Sequence, residues 1–119
     1  YAIEMKACKI INIKAGRLGG LSQAIQTHDI CQENQIPVWC GGMLETGIGR
    51  ASNLALASLP NFILPADVSA SNRYYKKDIT NESFVLNADS TINVPTNAGL
   101  GVTIDKDALQ SYTISKIEC

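Results

Sequence analysis

The stretch CKIINIKAGRLGG, residues 8–20, decides how we expect the chain to fold. Apolar and polar residues alternate up to Lys14, which predicts a strand with Asn12 and Lys14 on one face. Three glycines follow and favour a loop in which the backbone approaches a ligand closely. Lys14 therefore stands at the tip of a strand. Its side chain either keeps its charge in water or serves as a group that stabilises an anion or moves a proton.

Outward from this stretch, strand-like and helix-like segments alternate along the chain. They are a helix over 22–34, a strand over 37–40, a helix over 50–59 and a third strand over 61–64. Such alternation with tight connections indicates parallel strands and right-handed crossovers, so the predicted fold class is α/β.

The pattern changes after residue 75. Residues 84–86 and 91–94 flank a turn-forming segment and give a hairpin signal of moderate quality. One further strand-like segment and a terminal stretch of undefined form follow. We therefore divide the chain into a segment over 1–75 and a second segment over 76–119.

Composition excludes several classes of function. Ten basic and eleven acidic residues give a net charge of −1, which disfavours nucleic acid and anionic membranes as partners. The sequence shows neither an apolar run of the roughly 18 residues that a membrane span needs nor a signal peptide, so we expect a cytoplasmic protein. His28 is the only histidine, and Cys8, Cys31, Cys40 and Cys119 lack metal-ligand spacing, so no cysteine–histidine metal site is predicted. We expect Cys8 and Cys40 to be buried free thiols.

Three loops follow the predicted strand ends: KAGRLGG, CGGMLETG and LPADVSAS. Ligands of parallel α/β proteins bind at such ends, so we expect the loops to meet at one edge. Arg17 is either a surface charge or a carboxylate clamp, and Gly41 and Gly42 allow backbone N–H groups to approach a ligand. Glu45 is interpreted as an early-helix acid favoured by the helix dipole, in preference to a catalytic carboxylate, and His28 as a packing or surface residue.

In combination, CKIINIKAGRLGG, VWCGGMLETGIGR and LPADVSAS resemble the carboxyl-terminal part of an enolase-superfamily enzyme. Within the muconate-lactonizing subgroup, the chain is most similar to the o-succinylbenzoate synthase / N-acylamino acid (N-succinylamino acid) racemase family, over about residues 8–101. The resemblance implies a TIM-type (β/α) barrel with a capping domain. Residues 8–14, 37–40 and 61–64 would then be barrel strands six, seven and eight, and the tail after Asn81 would return to complete the capping domain.

The same resemblance implies a set of site residues. Lys14 matches the sixth-strand catalytic lysine, and Arg17 matches the arginine just behind it. The substrate-pocket loop of the seventh strand is matched by Gly41, Gly42, Met43 and Leu44. The implied chemistry is removal of a proton α to a carboxylate, through an enediolate held by Mg²⁺. In the synthase, a second-strand lysine removes the proton and the Lys14 counterpart stabilises the enolate; in the racemase, the two lysines are acid and base on opposite faces of the α-carbon.

Part of that machinery has no counterpart in this sequence. The family's second-strand KxK and its three acidic metal ligands on strands three to five would lie upstream of Tyr1. Neither Glu45 nor Asp67 matches a metal-ligand position, and Ala66 replaces the glycine of the family's LPGD. We therefore expect Mg²⁺ to belong to a parent enzyme, and this chain alone to hold no metal and to be inactive.

Three functional hypotheses follow. The first choice is a fragment of an o-succinylbenzoate synthase-like lyase of menaquinone biosynthesis. The alternatives are an N-succinylamino acid racemase of the same family and a non-catalytic, truncated α/β module. The expected partners are a small-molecule carboxylate substrate, the rest of the parent barrel, and a second copy of the chain through open sheet edges.

Overall fold

The computed structural model describes residues 1–117. In chain order, the elements are β1 (Ile11–Ile13), α1 (Ala15–Leu18), α2 (Leu21–Glu33), β2 (Val38–Cys40), α3 (Gly47–Ala57), a 3₁₀ turn (Ser71–Arg73) and α4 (Lys106–Tyr112). The fold is α/β: β1 and β2 form a two-stranded parallel sheet, with Asn12 opposite Trp39 in register. The prediction of parallel strands with a helical crossover is thus confirmed for this pair.

The two faces of β1 separate as the alternation predicts. Ile13 is fully buried on the side of the helices. Asn12 and Lys14 lie on the opposite face, over Gly41 at the end of β2: a Cβ atom at Gly41 would come within 2.3 Å of Asn12 Oδ1 and 2.6 Å of Lys14 Cε. A residue with a side chain at position 41 would therefore displace Lys14.

One core cluster joins the sheet to α2 and α3. Its buried members are Ile13, Ala24, Cys31, Val38, Cys40 and Leu56. Helix α2 contributes Ala24 and Cys31 to this cluster and also buries His28. The three residues recur at the three-to-four spacing of one helix face. Leu21 and Ile25, which the same pattern predicts on that face, are 38% and 41% exposed, so the buried stripe is narrower than the sequence indicates.

The predicted strand over 61–64 is wrong. Val38 donates a backbone hydrogen bond to the Asn61 carbonyl at 3.2 Å, and Asp67 donates one to the Cys40 carbonyl at 2.9 Å. Asn61 and Asp67 are six positions apart, whereas Val38 and Cys40 are only two apart, so a continuous ladder cannot form. Residues 61–67 thus share backbone hydrogen bonds with β2 only at Asn61 and Asp67. Asp67 also forms a parallel bridge with Gly41, the residue after β2.

The predicted hairpin is wrong as a pair of strands, although its turn is present. Asn87 donates a backbone hydrogen bond to the Thr91 carbonyl at 2.8 Å, and its side-chain amide donates to the Thr91 hydroxyl at 2.9 Å. Phe84, in the predicted first strand, instead accepts a backbone hydrogen bond from Ser71 at 2.9 Å. Its ring packs with Ala51 in a second core cluster. Contacts with α3 and with the 3₁₀ turn have replaced the strand pairing.

The tail contains a helix, Lys106–Tyr112, where the sequence predicts only a stretch of undefined form. Helix α4 begins after Asp105, whose carboxylate accepts the Ala108 N–H at 2.9 Å and so caps the helix. Thr80 and Ile104 form an isolated antiparallel bridge that holds the start of this region. The division of the chain after residue 75 stays a prediction. Within residues 1–117, we find no helix with the length and apolar character that crossing a bilayer requires.

Candidate functional site

Lys14 lies at the carboxyl end of β1, where it is the residue before α1. Its side chain is half-buried and passes over the bare Cα of Gly41. The ammonium donates a hydrogen bond to Met43 Sδ at 3.3 Å, although a thioether is only a weak acceptor. A cation at a rigid strand end is suited to meet negative charge that develops on a substrate.

The loop after β2 lies beside Lys14, and its glycines are sterically required. Gly41 donates a backbone hydrogen bond to the Ile13 carbonyl at 3.0 Å, which extends the pairing of the two strands. A Cβ atom at Gly42 would lie 1.8 Å from the backbone oxygen of Asp67. The three predicted loops therefore do converge: Lys14 contacts Met43, and Gly41 pairs with Asp67.

Glu45 organises this loop, which corrects its interpretation as an early-helix acid. It lies before Thr46, the N-cap of α3. Its two carboxylate oxygens accept the Met43 N–H at 2.7 and 2.8 Å, and Oε1 also accepts the Asn53 side-chain amide at 3.0 Å. Leu44, the residue after Met43, accepts a hydrogen bond at its backbone carbonyl from the Tyr75 hydroxyl at 2.5 Å. Two consecutive loop residues are thus fixed, Met43 by a side chain two positions along the chain and Leu44 by one 31 positions away.

The thiol of Cys40 lies beneath this loop and is not suited to act as a nucleophile. Burial raises its pKa to about 11, with further increases from the carboxylates of Glu45 and Asp67. A thiol with that pKa stays protonated near neutral pH, whereas the nucleophilic form of cysteine is the thiolate. Cys40 is buried and Cys8 is half-buried, and both are free thiols. The expectation of buried thiols therefore holds fully for Cys40 and in part for Cys8, while Cys119 lies outside the described residues.

The other predicted residues take different places. Arg17 is exposed on α1, three residues beyond Lys14, and Met43 and Leu44 are 60% and 64% exposed. His28 is 2% exposed: its Nε2 accepts the Asn61 backbone N–H at 3.0 Å and its ring stacks on Phe62. The packing role predicted for His28 is confirmed.

Comparison with known proteins identifies the family. The family described as enolase C-terminal domain-like matches residues 1–108. The chain belongs to the enolase C-terminal domain-like family. The chain is 55% identical over 116 residues to an N-succinylamino acid racemase from Amycolatopsis sp, covering 98% of this chain and 31% of that protein.

Two further similarities place the chain in the same part of the enolase superfamily. It is 50% identical over 111 residues to the o-succinylbenzoate synthase of Bacillus subtilis, covering 93% of this chain and 30% of that protein. The crystal structure of an enolase superfamily member from Listeria innocua superposes with a TM-score of 0.91 at 48% identity, covering 96% of this chain and 30% of that one. The chain therefore spans about 30% of the length of the curated relatives it matches.

The described residues of this enolase-family chain do not fit a magnesium site. In residues 1–117, no group of three or more His, Cys, Asp and Glu side chains is arranged to hold a metal ion. Asp67 and Glu45 are the acidic residues of the loops around Lys14, but the Glu45 oxygens are engaged by Met43 and Asn53. The described part of the chain therefore contributes Lys14 and the loop after β2 to the candidate site, and no group of metal ligands.

A buried ion pair that was not identified from the sequence lies next to the end of the loop after β2, where α3 begins. Arg50 on α3 is 1% exposed, and its Nη1 lies 3.6 Å from Asp78 Oδ2. Asp78 Oδ1 accepts the N–H of Gly47, the first residue of α3, at 2.8 Å. A signal was present: Arg50 falls on the apolar stripe with Ala51 and Leu54, where an unpaired arginine would be costly.

Proposed function

We propose that the protein carrying this chain is an o-succinylbenzoate synthase-like lyase that removes a proton α to a carboxylate. The observation that carries the proposal is Lys14 at the end of β1, over Gly41 and 3.3 Å from Met43 Sδ. In this role the Lys14 ammonium stabilises the enediolate formed when the proton leaves. An ammonium held by a rigid strand needs little reorganisation as the charge develops.

N-succinylamino acid racemase is the second candidate, and the 55% identity to the Amycolatopsis racemase favours it. Lys14 would then exchange a proton with the α-carbon on one face of the substrate, opposite a second base. In both candidates the substrate is a small-molecule carboxylate. We assign Arg17 and the loop residues Gly41, Gly42, Met43 and Leu44 to its binding.

We further propose that β1 and β2 are strands six and seven of a (β/α) barrel. Residues 61–64, which form no strand here, would occupy the position of strand eight. The rest of that barrel would come from outside this chain and would include the ligands for Mg²⁺. A dipeptide epimerase from Cytophaga hutchinsonii, solved with Mg and a dipeptide, supports a magnesium site in the family: it is 26% identical with a TM-score of 0.81, over 92% of this chain and 30% of that one.

Two further assignments complete the proposal. A cytoplasmic location is supported by free thiols at Cys8, Cys31 and Cys40, since disulfides are rare in reducing compartments. Self-association through an open sheet edge is proposed for the case in which this chain occurs without the rest of a barrel. Such an assembly would be the non-catalytic alternative. If the protein is a synthase, we propose that it acts in menaquinone biosynthesis.

The test uses the full-length protein with Mg²⁺ and two assays. One follows the dehydration that yields o-succinylbenzoate; the other follows exchange of the α-proton of N-succinylamino acids in D₂O by NMR. We expect Lys14→Ala to lower kcat by about 10²–10⁴-fold in the active assay. Lys9→Ala, an exposed lysine before β1, is the matched control and should leave the rate unchanged.

The relative rates in the two assays separate synthase from racemase. Absence of both activities in the wild-type protein would reject the proposed function and favour the non-catalytic module. Activity that survives Lys14→Ala within a few-fold would reject the role assigned to Lys14.

A further inference from the structure

We propose that Glu45 is a positioning residue that sets the place of Met43, and through Met43 that of the Lys14 ammonium. The kinetic part of this inference rests on the proposed function, whereas its structural part does not. Glu45 is half-buried at the start of the turn into α3, and among the described residues its hydrogen bonds go to Met43 and Asn53 rather than to Lys14. It acts through the loop.

Three contacts hold the Glu45 side chain in one arrangement. Both carboxylate oxygens accept the Met43 N–H, at 2.7 and 2.8 Å. Oε1 also accepts the side-chain amide of Asn53, which is 7% exposed on α3. The carboxylate stem fills the space beside Gly49, where a Cβ atom would meet Glu45 Cγ at 2.7 Å. The helix therefore provides an amide and an empty position for this one side chain.

The arrangement matters because the side chain of Met43 is flexible. Methionine has three rotatable bonds, so its sulfur takes a defined place only if its backbone is fixed. Glu45 fixes that backbone by binding the N–H, and the sulfur then receives the Lys14 ammonium at 3.3 Å. Charge-assisted hydrogen bonds, such as that from an N–H to a carboxylate, are about twice as strong as neutral ones. A path of direct contacts thus runs from Asn53 through Glu45 and Met43 to Lys14.

The experiment compares Glu45→Ala, Glu45→Gln and a control in the full-length protein. The control is Glu33→Ala, an exposed glutamate at the end of α2. Since a misplacement of about 1 Å can cost roughly 10²-fold in rate, we expect Glu45→Ala to lower kcat/KM by about 10–100-fold. Glu45→Gln should recover most of the loss, because one oxygen can still accept both the Met43 N–H and the Asn53 amide.

The second readout is independent of activity. The protein is labelled with [methyl-¹³C]methionine, and Met43→Leu assigns the Met43 methyl resonance. We expect a dispersed signal in the wild type and in Glu33→Ala, and a signal close to that of free methionine in Glu45→Ala. If the wild-type protein lacked both assayed activities, the proposed function would fail and this resonance alone would decide the role of Glu45.

Two outcomes overturn the inference. One is a Glu45→Ala variant that matches Glu33→Ala in both kcat/KM and the Met43 resonance. The other is a failure of both Glu45 variants to fold, which would show that Glu45 supports the domain as a whole rather than the place of Met43.

Discussion

Breaking the Arg50–Asp78 pair should destabilise the protein more than any change at an exposed charge. Arg50 Nε donates to the Ser69 carbonyl, Nη1 donates to the Ser71 hydroxyl at 3.3 Å, and the same Nη1 lies 3.6 Å from Asp78 Oδ2. The side chains of Arg50 and Asp78 are 1% and 4% exposed, so water cannot replace either partner. The pair links α3 to the segment after the 3₁₀ turn.

The magnitude follows from what Arg50→Met leaves behind. Methionine fills much of the volume, but the Asp78 carboxylate stays buried and, within residues 1–117, keeps only the N–H groups of Gly47 and Ile79, each at 2.8 Å. Removing one partner of a buried ion pair costs about 3–5 kcal/mol. We therefore expect the free energy of unfolding to fall by about that amount in Arg50→Met.

Urea unfolding followed by circular dichroism measures the effect, with Arg73→Met as the control. Arg73 is exposed beside Tyr74, so its replacement should change stability by at most about 0.5 kcal/mol. The double variant Arg50→Met/Asp78→Asn removes both charges while an amide oxygen can still accept the Gly47 N–H, and it should be more stable than the sum of the single effects predicts. A loss below about 1 kcal/mol in Arg50→Met, or additivity of the two changes within about 0.5 kcal/mol, would refute this reasoning.

Three further predictions concern other parts of the chain. Gly42→Ala should cost at least about 1–3 kcal/mol in urea unfolding because its Cβ would overlap the Asp67 carbonyl, whereas Gly16→Ala, with no atom within 4 Å, should be tolerated. His28→Ala should cost about 2–4 kcal/mol, since it leaves a backbone N–H without its acceptor and removes an aromatic stack. The hydrogen bond from the Lys77 ammonium lowers the pKa of Asp105 in the folded protein from its ordinary value of about 3.8. The Asp105 carboxylate therefore stabilises the fold above pH 3.8, and this stabilisation is lost as the pH falls through the lower folded pKa. Asp105→Asn should accordingly make the free energy of unfolding less dependent on pH in the acid range.

Local patterns in the sequence predicted the parts of the fold that depend on neighbouring residues. The alternation over 8–14 placed Asn12 and Lys14 on one face, and the helical spacing over 22–34 predicted the helix whose buried residues are Ala24, His28 and Cys31. Both patterns depend only on the periodicity of the element that contains them. The observed strands are shorter than predicted because pairing is limited to the three residues of β1 and β2 that lie side by side.

The secondary-structure predictions that proved wrong concern segments whose structure depends on a contact distant in sequence. Residues 61–64 have an apolar, strand-like composition, but only Asn61 and Asp67 bond to β2. Phe84 has the composition of a hairpin strand, yet it bonds to Ser71 and packs on α3. Strand propensity indicates a residue that fits a half-buried surface, and a core cluster meets that requirement as well as a sheet does.

The residues of the candidate site likewise differ in whether local sequence signals could identify them. Lys14, Gly41 and Gly42 were found from sequence because a lysine at a strand end and glycines after a strand are local signals. The roles of Glu45 and Arg50 were not found from sequence. Glu45 binds an N–H only two residues away, but the turn that brings the two groups together forms only in the folded loop. Arg50 pairs with a residue 28 positions away, so its partner is known only once the chain is folded.

The contacts described around Lys14 come from nearby parts of this chain: the face of β1, the loop after β2 and the amide of α3. The immediate setting of the lysine should therefore persist wherever this segment is folded, whatever lies beyond it. Metal ligands are of a different kind, because no group of three or more His, Cys, Asp and Glu side chains within residues 1–117 is arranged to hold a metal ion. It follows that changes within residues 12–53 should act on catalysis through the placement of Lys14 and its loop, with metal affinity unchanged. A change at Glu45 that altered magnesium affinity would contradict this division of roles.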